Sequence, residues 1–163
     1  MLIELPYQRE NVLAYANKWA LKRNPAYMDF QTMGGDCTNF ASQCVFAGSR
    51  VMNFTPVMGW YYVNGGSRTA SWSGVPYFYN FIVNNKGVGP YAVETERAHV
   101  EPGDVLQLGD GKEHFYHTPV IVGVTPDEVY VAAHTFDAYM RPLSSYTASA
   151  IRFLHIQGVR QYQ

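Results

Sequence analysis

Cys37, His117 and His134 are the residues of this chain whose types could carry covalent chemistry together. A cysteine attacks a carbonyl carbon as the thiolate, and an imidazole can exchange the proton with it and with a leaving amine. Cys37 stands in the stretch Met33 to Gly48, Met-Gly-Gly-Asp-Cys-Thr-Asn-Phe-Ala-Ser-Gln-Cys-Val-Phe-Ala-Gly, where two glycines give way to a run of helical period. That spacing predicts a helix from Cys37 to Ala47, with Asp36 as N-cap and Gly48 in the terminating position. Cys37 then lies in the first turn, where the macrodipole and unpaired N–H groups favour the thiolate. Its own N–H is the natural first donor to an oxyanion.

The histidines fall on expected strands. His117 begins the β-rich run to Val124, and His134 ends the run that starts at Glu128. Joined as an antiparallel hairpin, the two runs bring both imidazoles to one end of a sheet. His114 and His117 make a His-x-x-His pair that, with Cys37 and His134, has the composition of a zinc site. His114, however, sits in a polar turn with Lys112 and Glu113 and is expected in solvent, so no metal and no cofactor is assigned. Cys44 is seven residues from Cys37, roughly 10 Å along a helix axis, which is too far for a disulfide. It reads as a small buried hydrophobe. Trp60, Tyr61 and Trp72 fall in an aromatic, turn-rich tract and suit either a cleft wall or the cap of a core.

The elements that must position these residues change character along the chain. Gln8 to Arg23 has a helical stripe through Val12, Ala16, Trp19 and Ala20, stopped by Asn24-Pro25. A third helix is expected from Val75 to Asn85 with Ser73 as N-cap, and Asn64-Gly65 suits a short hairpin or surface loop. After Gly89-Pro90 the pattern turns to strands at Val105–Leu108, His117–Val124, Glu128–His134 and Ala150–Ile156. Helices first and a meander of strands second predict an α+β fold, with N-terminal helices packed on one face of a small antiparallel sheet.

With 163 residues the chain suits a single domain spanning 1–163. A net charge near −1 with 15% charged residues gives no electrostatic footprint for nucleic acid. No apolar run reaches the length of a membrane span and no signal pattern opens the chain. A monomer is expected. Thirteen tyrosines offer flat apolar faces with polar tips, suited to a cleft for peptides or polar polymers.

Three of these segments resemble, in the same order, the Asp-Cys-Ser, Pro-Gly-Asp-Leu and His-Val-Gly-Ile signatures of NlpC/P60 cysteine peptidases: Asp36-Cys37-Thr38, Pro102-Gly103-Asp104-Val105 and His117-Thr-Pro-Val-Ile-Val. The chain is more closely similar to the amidase domain of the Amidase_6 type. It shares that pattern from Gly-Gly-Asp-Cys-Thr-Asn-Phe-Ala-Ser-Gln-Cys through Gly-Trp-Tyr-Tyr, Ser-Trp-Ser-Gly, Tyr-His-Thr-Pro and Ala-Ala-His-x-x-Asp to Ile-Arg-Phe-Leu-His-Ile, nearly the whole chain. The resemblance implies a papain-like (NlpC/P60-like) fold and a cysteine hydrolase of amide or peptide bonds. Carried over, Cys37 is the nucleophile, His117 the base and then acid, and His134 or else Asp137 the group that orients it. Asp36, beside the nucleophile, would meet a substrate amine or amide N–H, and Trp60 and Trp72 are the candidate cleft wall. The implied substrate is a peptide or amide of the bacterial cell wall, peptidoglycan-derived, and the implied setting is secreted or cell-surface. A non-catalytic wall-binding module and an acyl transferase using the same residues are the competing expectations.

Overall fold

A computed structural model describes residues 1–111 and 113–163. Lys112, named above in the polar turn, lies outside the described residues. The described residues form an α+β fold: four α-helices and an eight-stranded antiparallel sheet, with a separate two-stranded hairpin. The chain runs β1 (Leu2–Leu5), α1 (Arg9–Trp19), α2 (Cys37–Ser49), β2 (Tyr62–Asn64), β3 (Ser67–Arg68), α3 (Ala70–Ser73), α4 (Val75–Asn84) and β4 (Gly89–Thr95). It continues β5 (Val105–Gly109), β6 (Phe115–His117), β7 (Val120–Val124), β8 (Val129–Ala133), β9 (Ala138–Pro142) and β10 (Ala150–Tyr162).

In the sheet the order is β1-β10-β5-β7-β8-β9, with β4 also on β10 and β6 also on β5. Four strands were expected; β1, β4 and β9 are additional to them. β10 also runs on to Tyr162, well past Ile156, because β1 and β4 pair with its second half. A register shift between Ile156 and Gly158 bends it. The alternation of β5 divides the core. Val105 packs with Trp60, Trp72, Phe78 and Ile82 on the helical face, while Leu106 and Leu108 pack with Ile121, Val129, Val131 and Leu143 on the other.

Helices α1 and α2 pack through Val12, Ala16 and Ala20 against Phe40, Ala41 and Cys44, and this layer sits on Val120 and Ala132 of the sheet. α1 ends earlier than the Arg23 expected, because the Trp19 carbonyl is turned toward the His134 ring, 2.9 Å away. α2 runs through Gly48, which was expected to terminate it; Arg50, at φ 60°, takes that place. Gly48 faces α1 so closely that a Cβ there would come 2.5 Å from Val12 Cγ2 and 2.8 Å from Tyr7 Cε1. The third helix is split at Gly74, and Ser73 accepts from Arg68 Nε instead of capping α4.

The Pro-Gly-Asp turn is an anchor. Asp104, fully buried, accepts from the backbone N–H groups of Glu101 and Ile156 and pairs with Arg9 at 2.8 Å and His155 Nδ1 at 2.8 Å. It thereby ties the entry of β5 to α1 and β10. Nothing around His155 in the sequence marked it for this role.

Candidate active site

Cys37 is the first residue of α2, as its spacing required, and Phe40 N–H closes the first turn on the Asp36 carbonyl at 3.0 Å. Asp36 does not cap the helix with its side chain. Its carboxylate accepts from Phe30 N–H at 2.8 Å, Asn39 Nδ2 at 2.9 Å and His134 Nδ1 at 2.5 Å. The start of α2 is held instead by a contact across to the sheet, where the Thr38 and Thr118 hydroxyls meet at 2.9 Å. There the Cys37 sulfur lies 3.7 Å from Thr38 Oγ1, close enough to Thr118 that the Thr118 backbone N–H favours the thiolate.

The expectation of a resting thiolate is corrected by burial. Desolvation raises the Cys37 thiol, and the neighbouring Asp36 charge adds to the rise. The N–H of Thr118 and the Thr38 hydroxyl and N–H pull the other way without winning. A helix start stabilises a thiolate most where water also reaches it, whereas Cys37 is only 7% exposed.

His117 ends β6, and the strand breaks at Thr118-Pro119 before β7 begins at Val120. Its ladder partner is Leu108, which belongs to the sheet face turned away from α2, and its ring lies against Tyr146 at 5.9 Å. Burial first, and then the charge of Arg141, depress the imidazole to about 4, so it is neutral at neutral pH. Among the described residues no hydrogen bond joins His117 to Cys37 or to His134. Cys37 and the His117–Thr118 segment are adjacent, but through Thr118.

His134, just past β8, meets Asp36 with Nδ1 and the Trp19 carbonyl with Nε2, and stacks on Phe40 at 4.0 Å. Both ring nitrogens are therefore occupied by groups other than His117. Asp137 pairs with Arg23 at 2.7 Å; Arg23 also reaches Asp29 at 3.2 Å and Asp36 at 3.7 Å. Neither expected orienter bonds the His117 ring.

Trp60 and Trp72 are fully buried, and Asp36 is only 1% exposed, so the three expected substrate contacts present no surface to a ligand. The tryptophans make core instead. Trp60 Nε1 donates to Ser42 Oγ at 3.0 Å, Trp72 Nε1 donates to Asn39 Oδ1 at 2.9 Å, and their ring centres are 4.7 Å apart. Their indole N–H groups find partners on α2, which is what permits such deep burial. His114 is exposed and bonds Asp110 at 2.6 Å. Cys37 and Cys44 are both free.

A cleft of about 560 Å³ lies elsewhere, lined by Val57, Met58, Tyr77, Asn80, Phe81 and Asn84 among others, and neither Cys37 nor His117 borders it. The sequence reading missed Thr118, Gln107 and Arg141 around the cysteine and histidine. Gln107 had a signal: it is a polar residue at the helix-facing position of an otherwise apolar strand, between Leu106 and Leu108.

The fold and site define an α+β domain with a cysteine at a helix start, set against the strand that carries a histidine. The chain belongs to the family described as "Putative amidase domain", whose model matches residues 6–156. It is similar to two Bacillus subtilis (strain 168) proteins. Uncharacterized protein YhbB is 35% identical over 162 residues, covering 92% of this chain and 50% of that protein. Uncharacterized protein YjcM is 24% identical over 164 residues, covering 94% of this chain and 37% of that protein. The chain thus spans half or less of the curated relatives it matches. No solved structure matches it.

Proposed function

We propose that this domain hydrolyses amide or peptide bonds with Cys37 as nucleophile, on a papain-like (NlpC/P60-like) arrangement of helix and sheet. The observation that carries the reading is the placement of Cys37 at the first turn of α2, which the Thr38–Thr118 hydroxyl contact at 2.9 Å holds against the segment one residue from His117. Membership of an amidase family supports the bond type. In the reaction the sulfur bonds to the carbonyl carbon as its proton passes to His117. The C–N bond then breaks as His117 returns the proton to the amine, and water hydrolyses the thioester to free the carboxylate. His117 is the base because it is neutral and its ring nitrogens make no hydrogen bond among the described residues. His134 acts through Asp36 as a positioning residue. The substrate is a wall-derived peptide amide and the setting secreted or cell-surface, both by family analogy.

A non-catalytic binding module is the second reading, and one observation favours it. Moving a proton from a thiol that burial holds above its ordinary range to an imidazole depressed to about 4 runs steeply uphill. A hydrolase must recover that on binding substrate, by turning His117 toward the sulfur and giving its imidazolium a partner. The test is amine release from muropeptides and from simple peptide amides, with native protein, Cys37→Ala and His117→Ala. Turnover that falls at least a thousandfold in Cys37→Ala supports the hydrolase. Turnover unchanged in Cys37→Ala, or iodoacetamide labelling Cys44 as fast as Cys37, overturns the assignment. Muropeptide binding with no turnover selects the binding module, and products acylated on an added amine select a transferase.

A further inference from the structure

Gln107 is fully buried on β5, and all its hydrogen-bonding capacity in the structure is directed. Its Oε1 faces two nitrogens of Arg152, at 2.9 and 2.6 Å. A guanidinium donates only, which identifies this atom of Gln107 as the oxygen and the other as the amide nitrogen. That nitrogen lies 2.9 Å from the Val75 carbonyl and 3.3 Å from Thr118 Oγ1. The carbonyl accepts one N–H and the Thr118 hydroxyl oxygen accepts the other. The Thr118 hydrogen is free to be donated to Thr38 Oγ1, 2.9 Å away, the one other side-chain partner of the Thr118 hydroxyl among the described residues. With its oxygen accepting from Thr118, Thr38 points its own hydrogen to its remaining neighbour, the Cys37 sulfur at 3.7 Å. Arg152 is itself clamped, with its guanidinium 3.5 Å from the Tyr79 ring centre and 3.8 Å from that of Phe115.

We infer that Arg152, Gln107, Thr118 and Thr38 form a one-way relay of hydrogen-bond donors that ends on the Cys37 sulfur, with Gln107 as the positioning residue that sets its direction. The inference rests on Cys37 as the reactive group of the proposed hydrolase. None of the four touches substrate in this role; they act through the sulfur. A donor at sulfur favours the thiolate over the thiol, so the relay works against the desolvation that burial imposes. Charge-assisted bonds from Arg152 polarise the chain at its origin, and bonds in series strengthen one another.

The direction makes the relay testable apart from mere structure. Gln107→Glu keeps the shape and the Arg152 pairing but presents an acceptor to Thr118. Thr118 then donates to Glu, Thr38 turns its hydrogen to Thr118, and the sulfur loses its hydroxyl donor. Thr38→Val removes the last donor with no change in shape, and Thr38→Ser restores it. The readout is the rate of iodoacetamide alkylation of Cys37 against pH in the full chain, followed by mass spectrometry, with thermal melts to establish folding. Thr38→Val and Gln107→Glu should each react about tenfold more slowly at pH 7, with the inflection about one pH unit higher, and Thr38→Ser should match the native rate. Thr38→Ala, which also lacks the hydroxyl, replaces either variant that fails to fold. Native rates and an unchanged inflection in the folded variants, or a Thr38→Ser as slow as Thr38→Val, overturn the relay. Alkylation needs no substrate, so a chain that turns over no amide yet shows these shifts would sink the hydrolase and keep the relay.

Discussion

Asp36 Oδ2 lies 2.5 Å from His134 Nδ1, and both side chains are about 1% exposed. The other ring nitrogen of His134 faces the Trp19 carbonyl at 2.9 Å, so Nε2 carries the hydrogen it donates there. The pair is a buried hydrogen-bonded link binding α1, α2 and the end of β8. Removing one member leaves a buried polar atom of the other without its partner, at a cost of about 1–3 kcal/mol. His134→Ala and Asp36→Ala should each lose about that much in urea unfolding, and the double variant should lose clearly less than the sum. Additive losses would mean the two are not coupled.

His117 links stability to pH. The unfolded chain takes up the imidazole proton near the ordinary value of 6.5, whereas the folded chain resists until about 4. Stability from this group is full above about pH 6.5 and declines as pH falls toward 4, by about 3 kcal/mol in all. Urea midpoints between pH 4 and 7 should therefore slope less steeply in His117→Phe than in the native chain. An identical slope would show that the ring is not held neutral.

Much of this frame was legible because it rests on short-range pattern. Cys37 at a helix start followed from Gly34-Gly35-Asp36, and the apolar stripe of α1 followed from Val12 and Ala16. The turn before Val105 followed from Pro102-Gly103. The missing parts depend on contacts distant in sequence. β1 exists because Leu2 to Leu5 pair with Val159 to Tyr162, and no local pattern states that. The roles of Asp36 and His134 changed for the same reason: an N-cap and a strand-end histidine satisfy their own local rules, yet 98 positions apart they bond each other. The tryptophans looked like a cleft wall because their tract is rich in turns, whereas polar atoms on α2 draw both indoles inward.

Ser42 serves both tryptophans at once, accepting from the Trp60 indole Nε1 at 3.0 Å and donating to the backbone carbonyl of Trp72 at 2.8 Å. Ser42→Ala would leave a buried donor and a buried acceptor unpaired, a loss of about 1–3 kcal/mol. Thermal unfolding should drop accordingly and the tryptophan emission should change, because Trp60 loses its hydrogen-bond partner. A variant as stable as the native chain would mean the indole finds another acceptor.

Gly48 and Gly34 separate two reasons for a glycine. At Gly48, in mid-helix, alanine should gain up to about 1 kcal/mol from helix propensity. A Cβ there nevertheless falls 2.5 Å from Val12 Cγ2 and 3.0 Å from the Gln8 carbonyl, whose residue also donates its N–H to the Gly48 carbonyl at 2.9 Å. Overpacking of this kind costs about 1–3 kcal/mol, and part of the obstacle is backbone, so Gly48→Ala should destabilise by forcing α1 and α2 apart. At Gly34 a Cβ meets nothing within 4 Å, but φ is +100°, so alanine there carries only the backbone strain of about 1–2 kcal/mol. Pairing each with Val12→Ala decides between the causes. The smaller neighbour should recover much of the loss at Gly48 and none at Gly34, and equal behaviour at both sites would rule out the helix contact as the reason Gly48 lies inside α2.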